Sequence, residues 1–322
     1  MHAVKGANSC SPVLSFVTVA VMASTPDRPT TNNSPIIGIL AVMADNRKNG
    51  KYCLPASYVK NVESSGARVV PIFPERGLDY YKMMFKRLNG LLIPGGSGNP
   101  LEYQKPVTDT VRLFLRWSME AYDNSENPEY WPVWGTCLGF EILAVLSAGR
   151  NCLSDCNCIP GSYPATPAKD FDDSRLVRSL PEDLRQAITE DFISPHLHAY
   201  CLTVRDFFEH GIEKQYKLLA TKTDSQNLEY AVIIEARKYP IYGLMSHQEK
   251  AVYQWDERRN FDHSPKAVRL AQAFMNFFVD ECRKNGRCFE NEDVDPKKYL
   301  IQNFRPKSIP HSKFYDEIYY FD

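Results

Sequence analysis

Trp134-Gly135-Thr136-Cys137-Leu138-Gly139-Phe140-Glu141 sets Gly-x-Cys-x-Gly between an apolar strand and an apolar helix. This is the pattern of a nucleophile elbow: a sharp strand-to-helix bend exposes the central side chain, and the flanking glycines remove Cβ atoms that would collide. Upstream, residues 128–133 (PEYWPV) read as the entering strand. Downstream, Phe140, Ile142, Leu143, Val145 and Leu146 give the helix its apolar residues. Cys137 then stands at a helix N-terminus, where unpaired N–H groups and the dipole favour thiolate, the reactive species.

Outward from the elbow, apolar strands alternate with amphipathic helices, which predicts an α/β fold with a mostly parallel central sheet and helices on both faces. Strands are expected over 36–43, 67–73 and 90–93, with helices over 56–66, 80–88 and 107–122 between and after them. Gly66 suits the C-cap of the first helix. Later strands fall at 218–221, 230–236 and 240–245. A final helix over 265–283 carries Val268, Leu270, Ala271, Phe274, Phe277 and Phe278 at helical spacing. A loop rich in Cys, Pro and Asp interrupts the rhythm from Arg150 to about Asp173. The tyrosine-rich tail after Asn285 is expected to wrap back over the domain.

With 322 residues and 43% hydrophobic content, the chain can bury one large core. Lys plus Arg at 38 against Asp plus Glu at 39 gives a net charge of −1, which offers neither nucleic acid nor membrane a basic surface. Lys5 followed by the apolar run 13–23 reads as a signal peptide, with Val21-Met22-Ala23 as its cleavage pattern. The organisation expected is a signal peptide over 1–23, a flexible linker over 24–34 and a single domain over 35–322. Among nine cysteines, Cys282 and Cys288 are spaced to close a small loop under oxidising conditions. Cys152, Cys156 and Cys158 lack a matching fourth ligand nearby, so no metal site is expected.

A cysteine nucleophile needs a base that takes its proton and returns it to the leaving amine. Of seven histidines, His2 lies in the leader, and His210, His263 and His311 sit in polar, loop-like settings. His247 follows an apolar strand, at the end where open α/β sheets place their sites. Glu249, two residues on, is placed to fix its tautomer. The oxyanion would be held by the N–H of Leu138, the residue after the nucleophile, and by Gly96 in the turn Pro94-Gly95-Gly96-Ser97.

Together the octet around Cys137, Pro94-Gly95-Gly96-Ser97, Ala56-Ser57-Tyr58-Val59-Lys60 with Glu63 to Pro71 (ESSGARVVP), and His247-Gln248-Glu249-Lys250 near Tyr239 to Gly243 resemble the gamma-glutamyl hydrolase family. That family, peptidase C26, cleaves folate polyglutamates and belongs to the class I glutamine amidotransferase-like superfamily. The resemblance runs from about Pro35 to Phe304. It implies a flavodoxin-like three-layer sandwich, no cofactor, a lysosomal, vacuolar or secreted location, and a small-molecule substrate, folylpoly-γ-glutamate, with a homodimer left open. Carried over residue by residue, it implies Cys137 as nucleophile, His247 as base and proton donor, and Tyr58, Glu141 and His198 as substrate-cleft positions. His196 is an alternative match for His198. Glu141 stands where glutaminase relatives carry Gln, and a carboxylate there would bind the substrate's α-ammonium.

The family's usual Gln-Trp-His-Pro-Glu-Lys reads here Met245-Ser246-His247-Gln248-Glu249-Lys250, which predicts a looser frame around His247. The alternatives to a working hydrolase are a catalytically impaired folate- or γ-glutamyl-binding pseudoenzyme and a glutaminase.

Overall fold

The computed structural model describes residues 31–45, 47–256, 258–289, 295–309 and 315–322. The expected signal peptide, most of the linker, Cys10, His2 and His311 lie outside these residues. Five apolar strands, Ile36–Leu40, Arg68–Ile72, Leu91–Ile93, Val133–Thr136 and Ile241–Leu244, pair in parallel. Numbered along the chain, they lie side by side in the order 2-1-3-4-5, the flavodoxin-like arrangement, with the reversal between the first and third strands. Glu229–Ala236, Tyr216–Thr223 and Thr166–Pro167 extend the sheet antiparallel from the last of them.

Strand alternation sets the layers. Along Val133–Thr136, Trp134 turns its ring to Phe274 and Phe278 of the helix Pro265–Arg283. Its neighbour Gly135 faces the helix Leu138–Ala148, where a Cβ would lie 2.7 Å from the Gly139 backbone. On the next strand Tyr242 packs on Phe277 while Gly243 meets Phe140. The sheet is thus sandwiched between these two helices, as the period of two requires. Ser264 caps the Pro265–Arg283 helix by accepting from the Ala267 N–H, with Pro265 at the first helical position.

The strand before the elbow is Val133–Thr136, not residues 128–133. Pro128 and Pro132 have no N–H for a ladder, whereas Trp134, Gly135 and Thr136 pair with Tyr242, Gly243 and Leu244. The first strand also ends earlier than expected, at Leu40, and Val42–Met43 leaves for a second sheet with Tyr52–Pro55, Glu317–Phe321 and Lys307–Ser308. The tail therefore does wrap back, as a strand.

The elbow glycines are required by contact. A Cβ on Gly139 would sit 2.3 Å from the Ile93 carbonyl oxygen, closer than atoms tolerate. Gly139→Ala is expected to lower the unfolding free energy by about 3 kcal/mol, because strand and helix must separate to admit it. Urea denaturation measures this; a loss below about 0.5 kcal/mol, the scale of a neutral surface change, would contradict the tight elbow.

Candidate active site

Cys137 occupies the bend with φ 51° and ψ −106°, a left-handed backbone angle that non-glycine residues rarely adopt. Its N–H donates to the Leu244 carbonyl at 2.8 Å, and its carbonyl accepts from the Glu141 N–H at 2.9 Å, so sheet and helix both fix it. The side chain is 4% exposed and makes a long contact, 3.7 Å, to the Leu197 carbonyl.

His247 lies on the same spot from the neighbouring strand. A Cβ on Gly95 would fall 2.6 Å from His247 Cε1, 2.7 Å from the Tyr58 hydroxyl and 3.4 Å from Cys137 Cβ, so three side chains converge on one glycine. Glu249 Oε1 lies 2.7 Å from His247 Nδ1, which assigns the ring proton to Nδ1 and leaves Nε2 as the basic nitrogen. Nε2 is buried without a hydrogen bond. The Leu197 carbonyl that meets Cys137 also acts on this ring. Tyr58 is buried behind the imidazole: its hydroxyl accepts from the Gly95 N–H at 2.8 Å and lies 3.2 Å from Nδ1. It braces the glycine turn against His247 and is absent from the cleft wall.

The frame around His247 is held by polar contacts. Gln248 Nε2 donates to Ser246 Oγ at 3.0 Å and Ser194 Oγ at 3.2 Å, and the His247 N–H donates to the Pro195 carbonyl at 2.7 Å. The expected looseness is countered by these bonds.

A cleft of about 300 Å³ opens on this group, lined by Cys137, Gly96, Glu141, His198 and His247. It also takes in Asp45, Lys250 and Tyr315, which sequence reasoning missed. Lys250 follows Glu249 directly and could have been found from that spacing. Tyr315 arrives with the returning C-terminal strand, and no local pattern announces it.

The charge balance differs from the expected thiolate. Burial, then Glu141 and Glu249, push the Cys137 thiol well above its ordinary range, and the Leu138 N–H against the sulfur pulls it down only in part. Burial also lowers His247, although Glu249 partly restores it. At rest the pair is therefore neutral thiol and neutral imidazole. Burial would raise Glu249, but His247 and then Lys250 outweigh it and keep the carboxylate ionised.

Burial lifts Glu141 from 4.5 to about 8. The folded state thus binds a proton that the unfolded chain releases, so this stabilisation is full below about pH 4.5 and is lost as pH rises through about 8. Glu141→Gln is expected to flatten the fall in unfolding free energy across that window by a few kcal/mol, and the fall in Tm with it. Thermal melts at several pH values check this; an unchanged slope would contradict it.

Elsewhere, Cys282 and Cys288 are both free, the first buried and the second exposed. The disulfide among the described residues joins Cys156 to Cys201, a pair 45 residues apart that sequence spacing does not suggest.

An elbow cysteine with a carboxylate-oriented histidine on a doubly wound sheet defines a cysteine hydrolase of the α/β class. The peptidase C26 family model matches residues 35–247. The chain is 36% identical over 303 residues to gamma-glutamyl hydrolase of Bos taurus, covering 93% of each. It is 35% identical to gamma-glutamyl hydrolase of Homo sapiens, covering 91% of each chain. Gamma-glutamyl hydrolase B of Dictyostelium discoideum is also 35% identical, over 91% of this chain and 84% of that one. The chain belongs to the peptidase C26, or gamma-glutamyl hydrolase, family.

Proposed function

We propose that the protein hydrolyses γ-glutamyl bonds of folylpoly-γ-glutamates through a thioester on Cys137. The observation that carries this is the meeting of Cys137 and His247 at Gly95, with Glu249 bound to His247 Nδ1, beside an open cleft. The Cys137 thiol passes its proton to His247 Nε2 as sulfur attacks the γ-carbonyl. The N–H groups of Leu138 and Gly96 hold the oxyanion; the Leu138 N–H already lies at the sulfur. His247 then delivers the proton to the departing α-amine, and water, deprotonated by the same imidazole, releases the acyl group. Glu249 keeps the ring oriented and stabilises its charged form.

His198 and Glu141 face the bound glutamate from the cleft walls. Because burial holds Glu141 neutral below about pH 8, an amide N–H of a γ-linked glutamate suits it better than the α-ammonium expected from sequence. Lys250, whose Nζ donates to Gln254 Oε1 at 2.6 Å, adds positive charge for an α-carboxylate. Tyr58 positions His247. A signal peptide over 1–23, a linker over 24–34, one catalytic domain from 35 onward and a secreted, lysosomal or vacuolar location complete the proposal. No helix among the described residues is long and apolar enough to cross a membrane.

Linkage specificity tests this reading. Purified protein is offered γ-linked oligoglutamate, α-linked oligoglutamate and free glutamine. Cleavage of the γ-linked chain alone is expected; ammonia from glutamine with the γ-linked chain intact would replace the hydrolase by a glutaminase.

A further inference from the structure

Cys152, Cys156 and Cys158 do not form a thiol cluster: Cys156 is tied to Cys201, and Cys152 is separately buried. The fold gives Cys158 different neighbours. Ser154–Asp155 pairs antiparallel with Tyr200–Cys201, the Cys156 N–H donates to the Ala199 carbonyl at 2.8 Å, and the disulfide closes the same ladder. The Asn157 N–H is held by Asp224 at 2.9 Å. These restraints deliver the free thiol of Cys158 to His196 and His198, with one ligand atom from each of the three within 4.8 Å of the others.

Both imidazoles have a nitrogen that nothing among the described residues satisfies. His198 Nδ1 lies 3.1 Å from the Tyr200 carbonyl, which fixes the proton there and directs a lone pair from Nε2; that Nε2 is buried without a partner. An imidazole whose far nitrogen donates to a carbonyl is the usual outer support of a metal ligand. His196 is 1% exposed, and its Nδ1 is also buried without a partner. Two buried, lone nitrogens beside a thiol are costly unless something occupies the space between them. Two nitrogens and one sulfur match the ligand preference of Zn²⁺, which holds three protein ligands and an open fourth position in many sites.

We propose that Cys158, His196 and His198 form a zinc site in the wall of the cleft. Bonds of about 2.0–2.3 Å draw the three ligand atoms together by roughly an ångström. Zinc displaces the Cys158 proton to solvent and binds the thiolate. Lys222, whose Nζ sits 4.2 Å above the Tyr163 ring, opposes the added cation but favours the thiolate, and the nearby Asp224 carboxylate offsets it. Since His198 also lines the cleft with Cys137, a bound ion removes it from the substrate. Zinc therefore inhibits hydrolysis, a consequence that rests on the function proposed above, whereas binding itself does not.

The test uses the purified chain, stripped with chelator and then titrated with Zn²⁺ against a chromophoric competitor, and with Co²⁺ for its spectrum. Wild type and Cys137→Ala are expected to bind one ion in competition with the chelator and to show thiolate-to-cobalt charge transfer. Cys158→Ser is expected to lose that band and to weaken binding about tenfold or more, as is His196→Gln. Retention of the band in Cys158→Ser, or its loss in Cys137→Ala alone, would overturn the site, the latter by placing the ion on the nucleophile. Circular dichroism confirms that each variant is folded. In the activity arm, zinc inhibition of the wild type that Cys158→Ser relieves supports the coupling, and equal inhibition of both removes it. Hydrolysis without specific zinc binding sinks this inference alone; zinc binding without hydrolysis sinks only the function.

Discussion

Cys137→Ala is expected to lower kcat/KM for γ-glutamyl cleavage by about four orders of magnitude or more, the scale seen when a covalent nucleophile is removed. Its sulfur supports little of the fold, since its polar contact with the Leu197 carbonyl is a long 3.7 Å approach. Far-ultraviolet circular dichroism should therefore be unchanged. The bend itself makes a separate prediction. Alanine retains a Cβ at φ 51°, whereas glycine tolerates that angle, so Cys137→Gly should be more stable than Cys137→Ala by about 1 kcal/mol, although both are inactive. Steady-state kinetics and urea melts read the two effects independently. Residual activity within about tenfold of wild type would exclude the thioester, and an alanine variant more stable than the glycine variant would exclude backbone strain at the elbow.

His247→Ala should cost nearly as much, about three to four orders of magnitude in kcat. With thiol and imidazole both neutral at rest, no stored thiolate remains to attack once the base is gone; the proton has nowhere to go. Burial of the thiol beside Glu141 and Glu249 sharpens this dependence. Removing the ring also leaves Glu249, 2% exposed, without the Nδ1–H that it accepts from at 2.7 Å. The variant should consequently lose stability as well, which an unfolding titration separates from catalysis. A kcat within about tenfold of wild type in a folded His247→Ala would assign the base elsewhere.

The elbow and its partner histidine were legible because their chemistry is written locally. Gly135 and Gly139 flank Cys137 for reasons of contact, and His-x-Glu after a strand carries its own orienting acid. Alternation implied the mostly parallel sheet, and the family likeness its flavodoxin-like form; the strand order itself comes from the fold. What was not legible depends on distant chain. Tyr315 reaches the cleft through pairing of Glu317–Phe321 with Tyr52–Pro55, and Cys158 meets His196 and His198 where a short ladder and the Cys156–Cys201 bridge join distant chain. Tyr58 was expected in the substrate cleft by likeness, whereas it lies behind His247, a location that depends on how the helix Ala56–Ser64 packs. The thiolate expected from the helix N-terminus reversed for a similar reason: burial and two facing carboxylates are properties of the folded cleft, and they outweigh one terminal N–H.

The most direct measurement is product analysis after incubating wild type and Cys137→Ala with pteroyl-penta-γ-glutamate. Progressive shortening by the wild type, with the substrate left intact by Cys137→Ala, is the predicted result. An intact substrate after incubation with the wild type, or equal shortening by both proteins, would contradict cysteine-dependent γ-glutamyl hydrolysis.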